Sequence, residues 1–346
     1  MLAHGGRLKR AAKQFGIEES QWIDLSTGIN PQGWQVPSLP TACWQRLPEQ
    51  EDGLETAAAT YYGCDSLLPV AGSQAAIQSL PYLRPHCRVG FPLIGYEEHR
   101  YNWQQAGHQL TPLATDQISQ LIDRLDVLVL INPNNPTGER FSTQQLLKWH
   151  ATLARRGGWL IVDEAFIDPQ PENSLLDHCP QPGLIVLRSV GKFFGLAGIR
   201  AGFVFADQSL LKPLAEKLGP WPLSGPTREA CRQAFLDESW QQKTRQHLSQ
   251  QSQRLQRLLG QYFDARNLRG TELFQTLSSP HATVLFQHFA TRGILLRLFE
   301  TEQLVRFGLP NHPGDWQRLD LALAELPATL QSTTTDTSVN GAITTL

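Results

Sequence analysis

Between positions 54 and 206, short apolar runs alternate with stretches of helical period, and this alternation restricts the chain to few architectures. "DVLVLI" (126–131), "GWLIVDEAF" (158–166), "GLIVLRSV" (183–190) and "RAGFVFA" (200–206) read as strands buried on both faces. Between the first two, "STQQLLKWHATLARRG" places apolar residues at helical spacing, with Ser142 or Thr143 as N-cap and Gly157 closing it. Strands alternating with helices predict an α/β layer with a largely parallel sheet.

After Trp221 the pattern changes. The stretch 225–263 reads as one long helical segment, rich in Gln and Arg. "ATVLFQHF" (282–289), "GILLRLF" (293–299) and "QLVRFGLP" (303–310) then read as strands of a second, smaller unit. From Gln331 the Ser/Thr-rich tail has no apolar period and is expected to be disordered. A length of 346 residues suits two domains.

The totals exclude several function classes. A net charge of −2 gives no broad basic face for nucleic acid. The apolar runs are far shorter than the ~20 residues that cross a bilayer, and the first residues lack a signal peptide's apolar core. Cys43, Cys64, Cys87, Cys179 and Cys231 are scattered without a CxxC, which argues against a disulfide framework or zinc site. A soluble, cytoplasmic protein is expected.

Four motifs fall where strands end. "INPNNPTG" (131–138) exposes side-chain amides just past a strand; read by itself it is equally a plain turn. "VDEAF" (162–166) puts Asp163 and Glu164 at the same edge, to bind a metal, cap a helix or hold a cationic ring; metal is the weakest option, with no second ligand at suitable spacing. "VAGSQAAIQSL" (70–80) reads as a strand end, a Gly turn and a helix N-terminus, suited to a phosphate or simply capped by Ser73. "SVGKFFGLAGIRAG" (189–202) offers Lys192 as phosphate ligand, surface charge or nucleophile. It is not a P-loop, because Val186 occupies the first Gly position and Phe193 follows the lysine.

Taken jointly, an Asn, an Asp, and a Lys with Ser three before and Arg eight after closely resemble the fold type I enzymes of pyridoxal phosphate (PLP), the aspartate aminotransferase superfamily. The resemblance covers nearly the whole chain except the tail. It implies a large domain (44–225) with a mainly parallel seven-stranded sheet. A smaller α+β domain would combine 1–43 with 226–330, followed by the 331–346 tail. It implies PLP as cofactor, with Lys192 the covalent attachment point and Asp163 paired with the protonated ring nitrogen. Asn135 would hold the phenolic oxygen, and Tyr96 in "PLIGYEEH" would stack on the ring. Ser189, Arg200 and the turn Gly72–Ser73–Gln74 would bind the cofactor phosphate. No metal is implied. Desolvation beside Arg200 would favour the neutral amine that makes Lys192 a nucleophile.

Within the superfamily, two branches that use phosphorylated substrates are most similar: histidinol-phosphate aminotransferases and the L-threonine-O-3-phosphate decarboxylases of cobalamin synthesis. "HGG" (4–6), "LSTGINP" (25–31), Phe166 in place of a usual Tyr, and "GPW" (219–221) lean toward the decarboxylases. Each has a plainer reading, and Trp221 reads as packing in either case. By this resemblance His4, Asn30 and Arg297 contact the substrate phosphate, and Arg306 binds the α-carboxylate. The expected ligand is a small phosphorylated amino acid, and the expected assembly is a homodimer. Leu47-Pro48 departs from a Tyr-Pro that commonly reaches the partner's cofactor phosphate.

Overall fold

The computed structural model describes residues 5–331. His4 and the tail from 332 onward lie outside the described residues. Thirteen strands are present among them: β1 (Ile23–Asp24), β2 (Leu67–Val70), β3 (Arg88–Pro92), β4 (Gln109–Leu113), β5 (Val127–Ile131), β6 (Trp159–Asp163), β7 (Leu184–Ser189), β8 (Gly202–Phe205), β9 (Leu268–Thr271), β10 (Phe274–Ser278), β11 (Ile294–Leu295), β12 (Arg297–Phe299) and β13 (Leu304–Gly308).

The central seven-stranded sheet has the order β2-β8-β7-β6-β5-β3-β4. Strands β7, β6, β5, β3 and β4 run parallel, while β8 is antiparallel to both its neighbours. Its middle strands are buried nearly throughout, as uninterrupted apolar runs require when helices cover both faces. The helix Thr143–Ala154 begins at Ser142, whose hydroxyl accepts from the Gln145 amide at 3.2 Å, and buries Leu146, Trp149 and Leu153.

Strand direction places the chemistry. β2 is antiparallel to β8, as β7 is, so β2 and β7 point the same way. Gly202, which opens β8, pairs with both Val70 and Ser189. The ends of β2, β5, β6 and β7 and the start of β8 therefore meet at one edge. Gly72, Asn135, Asp163, Ser189 and Arg200 come together there although they are far apart in sequence.

A four-stranded antiparallel sheet, β12-β13-β10-β9, forms near the C-terminus, and β1 pairs in parallel with β11. Here the structure departs from the sequence expectation. "ATVLFQHF" lies in the helix Ala282–Ala290, not in a strand. Of its buried positions, Ala282, Leu285, Phe289 and Ala290, the first three are three and four apart, and Val284 is exposed. "GILLRLF" divides between β11 and β12, which belong to different sheets. The long helical stretch is two helices, Gly225–Leu236 and Glu238–Leu259. Asp237 leaves helical conformation (φ −88°, ψ 69°) and its carboxylate caps the second helix by accepting from the Trp240 amide.

Candidate active site

β7 ends at Ser189 and passes directly into a single helical turn, Val190–Phe193, that presents Lys192. Gly191 packs against Ala197, where an added Cβ would lie 3.0 Å from that residue's Cα. The Lys192 amine sits 5.5 Å from the centre of the Phe166 ring. Burial and the nearby Arg306 charge push it down to about 8; Arg200 adds to the depression and Asp163 opposes it. A lysine so placed keeps a usable neutral fraction near neutral pH.

Asp163 ends β6 and is 3% exposed. One carboxylate oxygen accepts from the Ala165 amide at 3.1 Å, and the other meets His99 Nε2 at 2.9 Å. His99 is equally buried, on the helix Glu97–Gln105, three residues after Tyr96. The Tyr96 hydroxyl donates to Gln74 Oε1 at 3.4 Å, and burial, then Glu98 and Asp163, push it up to about 12.

Gly72, just past the end of β2, adopts φ +71°, and a Cβ there would lie 2.6 Å from Arg200 Nη2. The turn opens the helix Ser73–Ser79, whose first N–H groups have no acceptor within the helix. Arg200 itself is held in the left-handed region, at φ 55°. Among the described residues no carboxylate lies within ion-pair distance of it. The cavity, about 560 Å³, is thus cationic beside Arg200 and anionic at Asp163, with Lys192 on its wall. That polarity fits a ring bearing a phosphate at one end and a protonated nitrogen at the other, and the space a Cβ on Gly72 would fill is needed by Arg200.

A second cavity, about 510 Å³, shares Tyr96, Asn135 and Lys192 with the first and is lined further by Arg297, Arg306 and Thr27. Arg306 is 4% exposed and donates to Asn135 Oδ1 and, at 2.7 Å, to the Ser26 carbonyl. Its Nε has no hydrogen-bond partner. Burial and Arg297 lower its affinity for its proton, yet a guanidinium stays charged. A buried cation without a carboxylate partner is unfavourable unless an anion is bound. Arg306 carries that need, and Arg297 lines the same cavity.

The structure thus gathers Lys192, Asp163, Gly72, Ser73, Gln74, Tyr96, Asn135, Ser189 and Arg200 around one cavity and Arg297 and Arg306 around its neighbour. Asn30 is not among the lining residues; it is 3% exposed, with both ends of its side chain bonded to backbone. Phe166 is buried and packs edge-on against Phe274 at 5.2 Å, while also lining the first cavity. Trp221, expected to pack, is 55% exposed. Sequence reasoning missed His99, although its place one helical turn after Tyr96 was a signal. It also missed Arg188, fully buried one residue before Ser189 and paired with Glu164 and Asp168. Glu164 and Arg188 of that ion cluster are the sequence neighbours of Asp163 and Ser189.

Comparison with known proteins agrees with this arrangement. The family model described as aminotransferase class I and II matches residues 21–313. Threonine-phosphate decarboxylase of Pseudomonas aeruginosa is 49% identical over 323 residues, covering 93% of this chain and 97% of that relative. Threonine-phosphate decarboxylase of a Sinorhizobium species is 36% identical over 338 residues, covering 94% and 98%. Among solved structures, histidinol-phosphate aminotransferase from Sinorhizobium meliloti in complex with pyridoxal-5'-phosphate superposes with a TM-score of 0.77 at 18% identity, covering 94% of this chain and 95% of that one. From the cofactor-shaped edge of the sheet and the match across most of its length, the chain belongs to the class I and II aminotransferases.

Proposed function

We propose that this chain decarboxylates L-threonine O-3-phosphate to 1-amino-2-propanol phosphate, using pyridoxal phosphate. The observation that carries the reading is the pair Arg297 and Arg306, two guanidinium groups opening on Lys192 from one cavity. A substrate with an anion at each end suits them, and the relatives at 49% and 36% identity bear the name of that activity.

Bound pyridoxal phosphate supplies an electron sink for the pair released when the bond from Cα to the carboxylate breaks. Gly72, Ser73, Gln74, Ser189 and Arg200 would hold its phosphate, Lys192 its aldehyde carbon and Asn135 its phenolic oxygen. Asp163, held by His99 and the Ala165 amide, stabilises a protonated ring nitrogen. Arg306 grips the substrate carboxylate and Arg297 its phosphate, so the substrate is fixed at both ends and one Cα bond is selected for cleavage. Lys192 Nζ or a water would then deliver to Cα the proton that takes the place of the lost CO₂. Charge-assisted bonds of this kind contribute about 1.5–3 kcal/mol each.

Trp44, Leu47 and Trp221 are large, apolar and 68%, 66% and 55% exposed, which supports assembly as a homodimer. No helix among the described residues is long and apolar enough to cross a membrane. Supplying threonine phosphate alone and following CO₂ against keto acid tests the reading. Stoichiometric CO₂ with 1-amino-2-propanol phosphate is expected. Keto acid release, or glutamate formed from 2-oxoglutarate with histidinol phosphate, would replace it with the aminotransferase reading.

A further inference from the structure

The turn that carries Lys192 is only four residues long, so its carbonyls have no following helix to satisfy them. The Gly195 amide donates to the Lys192 carbonyl at 3.2 Å, and the segment 30–34 supplies further donors. The Asn30 amide donates to the Lys192 carbonyl at 3.0 Å, Asn30 Nδ2 to the Phe193 carbonyl at 2.9 Å, and the Trp34 amide to the Phe194 carbonyl at 2.8 Å. Asn30 Oδ1 accepts from the Gln32 amide at 2.9 Å, which fixes the rotamer that aims Nδ2 at Phe193. The two backbones touch closely: a Cβ on Gly195 would lie 2.4 Å from Gly33 Cα, and one on Gly33 would lie 2.9 Å from the Phe194 carbonyl. At its far end the segment is pinned by the Trp34 indole N–H, which donates to Asp237 at 3.0 Å. Just upstream, the Ser26 carbonyl receives Arg306.

We propose that Asn30 is a positioning residue: it caps the lysine turn and so holds Lys192 in register with the Arg306 side of the cavity, and it does not itself bind substrate. Both polar ends of its side chain are already engaged, and it is buried, so a substrate would have to displace these bonds to reach it. A displacement of about 1 Å at a reacting group costs on the order of a hundredfold in rate.

The role of Asn30 rests on Lys192 being the reacting amine of the proposed function, and two measurements separate the claims. In Asn30→Ala, kcat should fall by tenfold or more, with KM for threonine phosphate within about twofold of the parent. In cofactor-free protein, the pH midpoint for acylation of Lys192, read by mass spectrometry, should shift from the parent's, while that of exposed Lys148 stays fixed. If Asn30→Ala does not fold, Asn30→Asp has nearly the same size, keeps the acceptor for Gln32 and replaces the donor to Phe193 with an acidic oxygen; because that adds an ionisable group, it is read by kcat against KM. A rise in KM with kcat and Lys192 labelling unchanged would make Asn30 a substrate contact and overturn the proposal. So would no change in either measurement, or loss of the folded state in both variants. If the parent releases no CO₂ from threonine phosphate, the proposed function falls, whereas the labelling comparison still decides Asn30.

Discussion

Arg306 on β13 stands directly opposite Arg297 on β12 in the antiparallel register. Like charges at facing positions of a ladder are destabilising, and here one of them is buried. A substrate that brings an anion to each guanidinium offsets this repulsion and the burial of Arg306. Threonine phosphate should therefore raise the melting temperature of cofactor-free protein, and Arg306→Met should remove most of that increase. In the loaded enzyme, loss of one charge-assisted contact, about 1.5–3 kcal/mol, predicts a KM increase of roughly ten- to a hundredfold.

His99 reaches Asp163 in a site closed to water. His99→Phe fills the space but leaves a buried carboxylate oxygen without its donor, a cost of about 1–3 kcal/mol. Pyridoxal phosphate affinity should fall accordingly, by about ten- to a hundredfold, when measured by equilibrium titration of the visible band. His99→Gln, which can still donate, should retain more of it.

Lys192 imposes a pH dependence on the cofactor-free protein. In the unfolded chain its amine holds a proton up to about pH 10.4, but in the folded protein only to about 8. Between those values the unfolded state binds more protons, so this residue makes stability rise with pH across the window. Below about 8 both states are protonated and the full penalty applies. Buried Tyr61, Tyr62 and Cys231, pushed upward by burial, contribute the opposite slope. The informative measurement is therefore the difference in urea midpoint between parent and Lys192→Met. Lys192→Met should be the more stable at pH 7.5, and the gap should narrow toward pH 10.

Gly72→Ala places a Cβ against Arg200 and strains a backbone at φ +71°. It should weaken cofactor binding more than tenfold. Gly198→Ala, with no atom within 4 Å of its added Cβ, is the matched control and should bind as the parent does.

Some of this was legible before any coordinates. The strands β5 to β8 announced themselves because continuous burial on two faces requires continuous apolar sequence. Asp163, Lys192 and Arg200 were legible only jointly, through the resemblance to fold type I enzymes: Asp163 closes one such run, Lys192 follows another and Arg200 precedes the next. The helix Ala282–Ala290 was not, because its exposed Val284 completes an apolar run that imitates a strand. The break at Asp237 was hidden because its flanks are helical and only the local backbone differs. Asn30 was visible as a polar residue but not as a cap, since the carbonyls it serves lie more than 160 positions away.

The pairing of β1 with β11, reinforced by the Gly308 amide donating to the Leu25 carbonyl at 2.7 Å, ties the beginning of the chain to a stretch made near its end. During translation the segment from Ser26 to Trp34 emerges early and must wait for Arg306, which leaves the ribosome only after every cofactor-side residue. A message cut short before β12 encodes every residue that lines the first cavity and neither arginine of the second. Completion of synthesis is then the event that brings Arg297 and Arg306 to the second cavity.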